Sequence, residues 1–283
     1  MEISYGVEGT VNATALIIAD SLSPKGVRLT TIEVTLPRYV HAELMTHRVF
    51  SRNASSSRAV PVKRMLKSVN KHFIYPMVWG LNQAGMQAKD AQLTGWKKHA
   101  AKFTWWLMAK QTMLGVRVLS ALGLHKQWAN RPLEWFTPIK VLITATEWSN
   151  FFELRMHKDA QPEIRNLAEV MYEAMKKSKP KFVDYGQWHL PYVTQQELET
   201  NTAKDLQVMS TARCARVSYL NHNLDAPTYD QDLGLYIRLV GSEPKHASPL
   251  EHVATPTASG FSRNFDGWIS HRATSEGEAY VNQ

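Results

Sequence analysis

A short basic segment around residue 50 carries the residue types best suited to chemistry. It reads Thr46-His47-Arg48-Val49-Phe50-Ser51-Arg52-Asn53-Ala54-Ser55-Ser56-Ser57-Arg58 and follows a strand-like apolar run. Arginine offers a rigid fork of donors that suits phosphate, and serine hydroxyls and loop amides can complete such a cage. Histidine can hydrogen-bond at neutral pH without carrying full charge. We interpret the segment as an anion-binding site, and a polar loop after an edge strand is the alternative.

This segment resembles the signature of the flavin-dependent thymidylate synthases. In that signature Arg-His-Arg is followed, after seven residues, by Ser and, two positions further on, by Arg. The matching positions are His47, Arg48, Asn53, Ser56 and Arg58. Three positions depart from the family: Thr46 replaces the first arginine, Glu43 replaces a glutamine three residues before it, and Ala59 replaces a tyrosine. The family residues at positions 43 and 46 lie at the nucleotide, so these departures concern the identity of the substrate.

A later part of the chain follows the same family in order. It contains Ala129-Asn130-Arg131, then Thr146-Glu147-Trp148-Ser149-Asn150-Phe151-Phe152-Glu153-Leu154-Arg155, then Ala160-Gln161-Pro162-Glu163-Ile164. The resemblance implies that Arg131 and Arg155 hold the nucleotide, and that Asn150 and Leu154 contact flavin. As an alternative, Arg155 could pair with Glu153 or Asp159 on a solvated helix face.

Two further motifs of the family stand in an unexpected place. Ala215-Arg216-Val217-Ser218-Tyr219 and His246-Ala247-Ser248-Pro249-Leu250-Glu251-His252 resemble motifs that the family carries before its arginine-rich signature, whereas here they follow it. The motif order is therefore permuted. The resemblance implies two sets of site residues. The nucleotide set is Glu43, Ser56, Arg58, Arg131 and Arg155; the flavin set is His47, Arg48, Asn53, Asn150, Leu154, Ser218, Ser248 and Glu251.

The end of the chain echoes the signature. The run from Glu251 to Pro256, which leads to Ser270-His271-Arg272, resembles the run from Glu33 to Pro37, which leads to Thr46-His47-Arg48. We interpret this as a weak internal repeat, with coincidence as an equal alternative. The second copy lacks the Ser-x-Arg that follows the first, so the first copy is the better candidate for nucleotide binding.

The activity implied by the resemblance is reductive methylation at C5 of dUMP, with methylenetetrahydrofolate as carbon donor and FAD reduced by NADPH. No protein nucleophile is needed, and family members are homotetramers. The histidines are scattered and no Cys/His cluster has zinc spacing, so no metal site is expected. The carboxylate of Glu43 would accept a hydrogen bond from the amino group of cytosine, so a dCMP or dUMP methylase or hydroxymethylase for modified DNA precursors, in a phage-type member, stays open. A third alternative is a catalytically inactive protein that binds nucleic acid or another protein.

Length and composition set the frame for these motifs. The chain has 283 residues, of which 44% are hydrophobic, and we predict an α+β fold with an antiparallel sheet flanked by helices. Residues 1–180 would form the core, and residues 181–283 would complete the flavin site, unless 1–283 is one domain. A single cysteine, Cys214, excludes an internal disulfide framework and is expected to be an inert packing residue. The sequence shows no leader and no apolar run of membrane length, so a cytoplasmic protein is expected.

Positive charge is concentrated in the middle of the chain. Residues 61–131 contain twelve Lys or Arg and one acid, Asp90, within a formal net charge of +8. Interleaved aromatic residues such as Trp96, Phe103 and Trp106 could hold single-stranded nucleic acid by charge attraction and base stacking. We favour a mostly buried helix over residues 97–122 that ends at Gly123. Its charges could serve FAD pyrophosphate, a folate glutamate tail or a subunit partner.

The remaining elements follow from periodicity and turn residues. We predict strands over residues 28–36 and 139–144, an amphipathic element over 40–50, a serine-rich loop to residue 60, and helices over 160–176 and 230–240. Thr146 is expected to cap a short helix that carries Asn150 and Arg155. Residues 180–201 are expected to be loop-like and to form the best internal boundary.

Overall fold

The structure, a computed structural model, describes residues 3–4, 13–88, 91–217 and 227–278. Ser218, one of the predicted flavin residues, lies outside the described residues. The strands are β1 (Ile3–Ser4), β2 (Thr14–Leu22), β3 (Arg28–Pro37), β4 (Ser51–Ala54), β5 (Pro138–Ala145), β6 (Lys181–Phe182), β7 (Ala254–Ser262) and β8 (Phe265–Ser270). The helices are α1 (His41–Met45), α2 (Val62–Lys71), α3 (Gly95–Ala121), α4 (Lys126–Ala129), α5 (Ser149–Arg155), α6 (Pro162–Lys177), α7 (Gln195–Thr200), α8 (Ala203–Ala215), α9 (Tyr229–Val240) and α10 (His271–Ser275).

The main sheet is antiparallel along its central strands. Its order is β1-β2-β3-β5-β4, and β6 pairs in parallel with β2. Residues alternate between the two faces of each strand. In β3, Ile32, Val34 and Leu36 therefore point to one layer, and Leu29 and Thr31 point to the other. The predicted α+β fold, with an antiparallel sheet flanked by helices, is confirmed.

Helix α6 covers the first face of the sheet. Ile164, Leu167, Ala168 and Met171 recur at helical spacing and are fully buried against β3 and β5. Pro162 occupies the first turn, where a missing N–H costs nothing. Truncating Leu167 to alanine in such a core would cost roughly 2–5 kcal/mol. The helix predicted over residues 160–176 is confirmed within two residues at each end.

Residues from the C-terminal third cover the second face. Cys214 at the end of α8 packs on Leu142 and is fully buried, and burial raises the pKa of its thiol. The prediction of an inert packing cysteine is thus confirmed. Trp268 of the β7–β8 hairpin packs on Leu29. The boundary predicted between residues 180 and 181 falls between α6 and β6, and the division into two domains stays a prediction.

A buried hydrogen-bond chain connects this layer to the sheet. Ser21 Oγ lies 2.7 Å from His189 Nδ1, and His189 Nε2 lies 2.7 Å from Thr31 Oγ1. The chain continues through Thr144, whose Oγ1 lies 2.7 Å from Thr31 Oγ1 and 2.8 Å from His252 Nδ1. Burial lowers the pKa of both histidines to about 3, so both are neutral at physiological pH.

Helix α3 ends as predicted but is less buried than predicted. Gly123 adopts φ +84°, and Leu124 N donates to Leu119 O at 3.0 Å, the pattern of a helix that ends in a left-handed glycine. Among its 27 residues, Ala109, Met113 and Val116 are the buried ones. The prediction of a mostly buried helix is wrong for the single chain. One stripe packs against α2 and the 3-10 helix Arg131–Phe136, and the other faces remain open.

Two local predictions fail for tertiary reasons. Residues 51–54, predicted as loop, form β4 because the open edge of β5 offers them partners, with Ser51 opposite Thr144. Thr146 does not cap α5; Trp148 precedes that helix, and Thr146 Oγ1 accepts from Asp266 N at 3.1 Å. Within the described ranges, no helix combines the length and the apolar composition that crossing a membrane requires.

Candidate functional site

The signature segment is held between a short helix and an edge strand. The chain leaves β3 at Pro37, forms α1, passes Thr46 and His47, and enters the sheet again as β4. His47 is buried and packs between two rings: its ring centroid lies 5.8 Å from that of Phe50 and 4.9 Å from that of Phe151. This packing fixes the imidazole, so the direction of its hydrogen bond is fixed as well.

Arg155, the last residue of α5, joins the later motif to the signature. Its Nε donates to His47 Nε2 at 2.9 Å, and its Nη1 lies 3.3 Å from Glu43 Oε2. Its Nη2 donates to Glu43 O at 3.3 Å and to Thr46 Oγ1 at 3.1 Å. Two of the three positions at which the chain departs from the family signature, Glu43 and Thr46, therefore contact the same guanidinium.

The alternative partners of Arg155 can be set aside. Asp159 Oδ2 lies 3.6 Å from His157 Nδ1, Glu153 is exposed, and the carboxylate that pairs with Arg155 is that of Glu43. The pairing of Arg155 with Glu153 or Asp159 is thus wrong. Because a guanidinium has five N–H donors and four of them donate to described residues, one N–H of Arg155 has no partner in the part of the chain that the structure describes and could donate to a ligand.

Protonation follows from burial and from the neighbouring charges. Burial lowers the pKa of His47, and the positive charges of Arg155 and Arg52 lower it further, so His47 stays neutral and its Nε2 can accept a hydrogen bond. Burial raises the pKa of Glu43, while the charge of Arg155 opposes that shift. The second carboxylate oxygen of Glu43, Oε1, makes no hydrogen bond within the described chain.

Several cationic and hydroxyl groups of the predicted nucleotide and flavin sets are open to ligands. Arg48 and Arg58 are exposed, and neither forms an ion pair with a carboxylate in the described part of the chain. The Ser56 hydroxyl is likewise without a hydrogen bond to any described residue. Arg131 is half exposed and lies 3.1 Å from Glu134 Oε1, so its charge is partly neutralised.

The serine-rich turn is held by the Arg131 motif. Asn130 Nδ2 donates to Ser57 O at 2.9 Å and to Val60 O at 2.8 Å, and Ser57 Oγ donates to Glu134 Oε1 at 2.5 Å. These bonds hold the 3-10 helix that carries Arg58 (Ser57–Ala59) against the one that carries Arg131 (Arg131–Phe136). The structure thus places four predicted nucleotide residues in two groups: Glu43 with Arg155, and Arg58 with Arg131.

The C-terminal motifs also reach the signature within one chain. Asn53 Nδ2 donates to Cys214 O at 2.8 Å, next to the Ala215-Arg216-Val217 motif. The 3-10 helix Ser248–His252 packs against β4. Its Glu251 bonds to Arg272 at 2.5 Å, and the charge of Glu251 acts on Arg52, whose pKa is lowered by burial.

Other predicted flavin residues lie at the surface. Ser248 is exposed on its 3-10 helix, and Asn150 and Leu154 are exposed on α5, without a hydrogen bond to the signature in the described residues. Asn150 and Leu154 share α5 with Arg155, so they flank the cluster through the helix that positions it.

Three residues in or beside the site were not predicted from sequence. Arg52 donates to Met45 O at 2.7 Å, Phe151 forms the wall behind His47, and Arg272 holds Glu251. Arg52 and Arg272 stood within the signature and its tail echo, which were signals for their involvement. Phe151 stood within the later motif, but its contact with His47 depends on how α5 packs against the signature segment, which only the folded chain shows.

Comparison with known proteins was made by sequence and by structure. The sequence model of the family described as thymidylate synthase complementing protein matches residues 21–181. A search of curated protein sequences finds no match. The UMP/dUMP methylase PolB from Streptomyces cacaoi is similar in structure when bound with 5-Br UMP (20% identity, TM-score 0.45, covering 59% of this chain and 89% of that chain).

Two further solved structures are similar at the same low level of identity. PolB bound with 5-Br dUMP shows 16% identity and a TM-score of 0.47 over 59% of this chain and 92% of that chain. Thymidylate synthase X from Helicobacter pylori with FAD and dUMP shows 18% identity and a TM-score of 0.37 over 52% of this chain and 67% of that chain. Since the family model spans more than half of the sequence, this chain belongs to the thymidylate synthase complementing protein family, the flavin-dependent methyltransferases of the thymidylate synthase type.

Proposed function

We propose that this protein transfers a one-carbon unit to C5 of a pyrimidine deoxynucleotide, converting dUMP to dTMP with methylenetetrahydrofolate as donor and NADPH as reductant of bound FAD. The observation that carries this proposal is the Arg155 cluster. There, one arginine of the later motif bonds to Glu43, Thr46 and His47 of the signature, so two motifs far apart in sequence form one site. Such fixed donors orient a substrate before it reacts.

The nucleotide would be held by exposed cations and one oriented guanidinium. Arg58 and Arg131, with the Ser56 hydroxyl, offer charge and hydrogen bonds suited to a phosphate, because Arg58 has no ion-pair partner among the described residues and Arg131 is half exposed. The remaining N–H of Arg155 and the Oε1 of Glu43 would face the pyrimidine base. The exposed arginines and the serine hydroxyl would thus bind the phosphate, and the Arg155–Glu43 pair would recognise the base.

The residues assigned to flavin fit an anionic cofactor. Arg48 supplies an exposed, unpaired cation in the described chain, and Ser248 and Asn150 supply exposed hydrogen-bonding groups. His47, Asn53, Leu154, Ser218 and Glu251 complete the proposed set. When bound and reduced, FAD supplies the hydride for the transfer. The chain's own residues would orient the two reactants and exclude water from the space between them.

A homo-oligomer is also proposed. Large apolar side chains on and after α3 are exposed in the single chain, which is unusual for a monomer. They are Trp96 (75% exposed), Phe103, Leu107, Met108, Leu114, Val118, Leu122 and Trp128. Burying this surface between copies would agree with the tetramers of the family. Light scattering coupled to size-exclusion chromatography measures the assembly directly.

A visible absorption spectrum tests the proposed function. The protein is saturated with FAD, freed of unbound FAD, and titrated with dUMP. Retained flavin bands that shift with dUMP are the expected result. A folded protein that retains no flavin would contradict the proposal and favour the inactive, binding-protein alternative.

The second candidate function is methylation or hydroxymethylation of dCMP, and Glu43 is the observation in its favour. The free Oε1 of this carboxylate can accept from the amino group of cytosine but not from the carbonyl of uracil. If cytosine is the substrate, Glu43→Gln should reduce kcat/KM for dCMP by about 10-fold to 100-fold, because a charge-assisted hydrogen bond becomes a neutral one.

Turnover of dUMP and dCMP by the parent and by Glu43→Gln separates the two candidates. Glu153→Gln on the exposed side of α5 is a matched control that should change neither rate. Turnover of dUMP alone by the parent would eliminate the cytosine candidate.

A further inference from the structure

A pocket lies between α2 and α3, and its lining includes no residue of the Arg155 cluster. It has a volume of about 140 Å³, and none of its lining residues belongs to the proposed nucleotide or flavin sets. The lining residues are Val69, Asn70, Phe73, Tyr75, Trp106, Ala109, Lys110 and Met113. Three of them are aromatic, and Asn70 and Lys110 supply polar groups. The pocket is therefore a concave apolar space with a polar rim, the usual form of a small-ligand site.

The rings of this pocket are held in place by neighbouring packing. Phe73 meets Tyr75 edge to face at 4.5 Å between ring centroids, and Phe73 stacks at 6.1 Å on Phe136, which is buried at the end of the 3-10 helix Arg131–Phe136. Trp106 stacks on Phe103 at 5.7 Å and is 38% exposed. A ring that entered the pocket would meet fixed aromatic walls, with an open edge at Trp106.

A cation stands at the rim of the pocket. Lys110 Nζ lies 5.5 Å from the centroid of the Trp106 ring and donates to Asn70 Oδ1 at 2.9 Å. Since an ammonium has three N–H donors, two of them remain for a ligand. Lys102 lies one turn before Trp106 on the same side of α3, and Lys71 follows Asn70 on α2.

No described residue between 61 and 131 carries a carboxylate to neutralise these lysines. The field at the rim is therefore positive, and it attracts anions more strongly at low salt than at high salt.

The pocket has room for a small ring. An apolar cavity of about 150 Å³ holds one benzene molecule, so a pocket of about 140 Å³ can accommodate a six-membered ring, the size of a pyrimidine base. Aromatic walls beside a cation suit a flat ring that carries an anionic group.

We propose that the pocket between α2 and α3 is a second nucleotide site, which binds a pyrimidine base against Trp106 and Phe73 and the attached phosphate at Lys110. The chemistry is shared by free pyrimidine nucleotides and by the bases of single-stranded DNA. The site is separate from the Arg155 cluster, and it does not depend on the proposed methyl transfer.

Equilibrium binding to the full-length protein tests this site. The probes are dTMP, dTTP and an eight-residue oligo(dT), with dGTP as the purine comparison. Trp106→Ala removes a wall of the pocket, and Lys110→Gln removes the rim charge. Phe261→Ala is the matched control, because Phe261 is an aromatic residue that is 81% exposed on β7 and does not line the pocket. Circular dichroism and thermal unfolding show whether each variant is folded.

We expect pyrimidine probes to bind at a site that persists in Arg155→Ala, weakens about tenfold or more in Trp106→Ala and Lys110→Gln, and is unchanged in Phe261→Ala. Affinity should fall as salt is added. If oligo(dT) binds in this way and free nucleotides do not, the source of the ligand is single-stranded DNA.

Other outcomes would overturn the proposal. Binding that disappears in Arg155→Ala, or that stays unchanged in folded Lys110→Gln, would show that no nucleotide uses this pocket. Should Trp106→Ala fail to fold, Lys110→Gln decides the result. Equal affinity for dGTP would contradict the assignment of a pyrimidine. These nucleotide affinities do not depend on flavin binding or on turnover. If the protein neither binds flavin nor turns over dUMP, the proposed function fails, while the test of this pocket still gives an answer.

Discussion

The two His-Arg segments of this chain share residue types but not surroundings. In the first, His47 accepts from Arg155, and Arg48 is exposed without an ion pair to any described carboxylate. In the second, His271 Nε2 lies 3.0 Å from the hydroxyl of Tyr236, and Arg272 bonds to carboxylates of its own segment. The positive charge of the first segment is thus open to a ligand, whereas that of the second is neutralised within the chain.

The local structure of the two segments also differs. After Pro37 the chain turns into α1 before it reaches Thr46, whereas after Pro256 it stays in a hairpin until Ser270, which caps α10. The sequence echo therefore does not extend to the same backbone. The same short motif can bind a ligand where its donors have no partner within the chain. It stabilises the fold instead where carboxylates of the chain pair with those donors.

Acid should have the largest effect. Two buried histidines, His189 and His252, attach the C-terminal layer, which carries the second segment, to the main sheet. Burial holds the pKa of His189 and His252 at about 3 in the folded chain, against about 6.5 when unfolded. The unfolded chain therefore binds more protons below pH 6.5, and stability falls as the pH falls from 6.5 towards 3. The two groups together should cost about 3 kcal/mol per pH unit in that window.

Urea unfolding at pH 7, 6 and 5 measures this loss, expected to be about 4 kcal/mol at pH 5. His252→Gln should show about half the slope, and His157→Gln, whose ring is exposed, should keep the parental slope. A free energy of unfolding that is flat over this range would contradict the prediction.

Arg155→Ala should have the next largest effect, on the first segment alone. It removes bonds to Glu43, Thr46 and His47 and leaves a carboxylate and a buried imidazole without their partner. Affinity for dUMP should fall about 100-fold, as expected when a charge-assisted hydrogen-bonding group is lost. Arg165→Ala is the control, because Arg165 pairs with Glu169 at 3.8 Å on the surface of α6. A change of less than threefold in folded Arg155→Ala would remove it from the nucleotide set.

Arg48→Ala and Arg272→Ala form a matched pair with the smallest expected effects. Arg48→Ala should weaken FAD binding about tenfold, since an unpaired cation can bind phosphate directly. Arg272→Ala should instead lower the free energy of unfolding by about 1 kcal/mol, the value of a partly exposed ion pair, with less than a twofold change in dUMP affinity. Fluorescence titration of FAD and dUMP and urea unfolding provide the readouts. Equal effects of the two variants would remove the distinction between the segments.

The periodic elements could be predicted from the sequence to within a few residues. The strand predicted over 28–36 is observed as Arg28–Pro37, and the helix predicted over 230–240 as Tyr229–Val240. Local alternation, caps and helical stripes carry this information. β4 was missed because its residues become a strand by pairing with the edge of β5, a partner almost ninety residues away in sequence.

The burial of α3 also could not be predicted from the sequence. Its composition suits a core helix, yet in the single chain Trp96 and Phe103 remain exposed, while α6 buries its apolar stripe fully. Composition determines that a surface is apolar. Which surface covers it is decided by the elements that the fold brings near.

The sequence alone determined the family resemblance, the α+β class and the residue types of the site, because these depend on local pattern and spacing. The tertiary structure alone decided that Arg155 bonds to Glu43, Thr46 and His47, that Glu251 is neutralised by Arg272, and that Arg48 is left open. The physical reason is that a charged group acts according to which partners lie within hydrogen-bonding distance, and those partners come from elements that meet only when the chain folds.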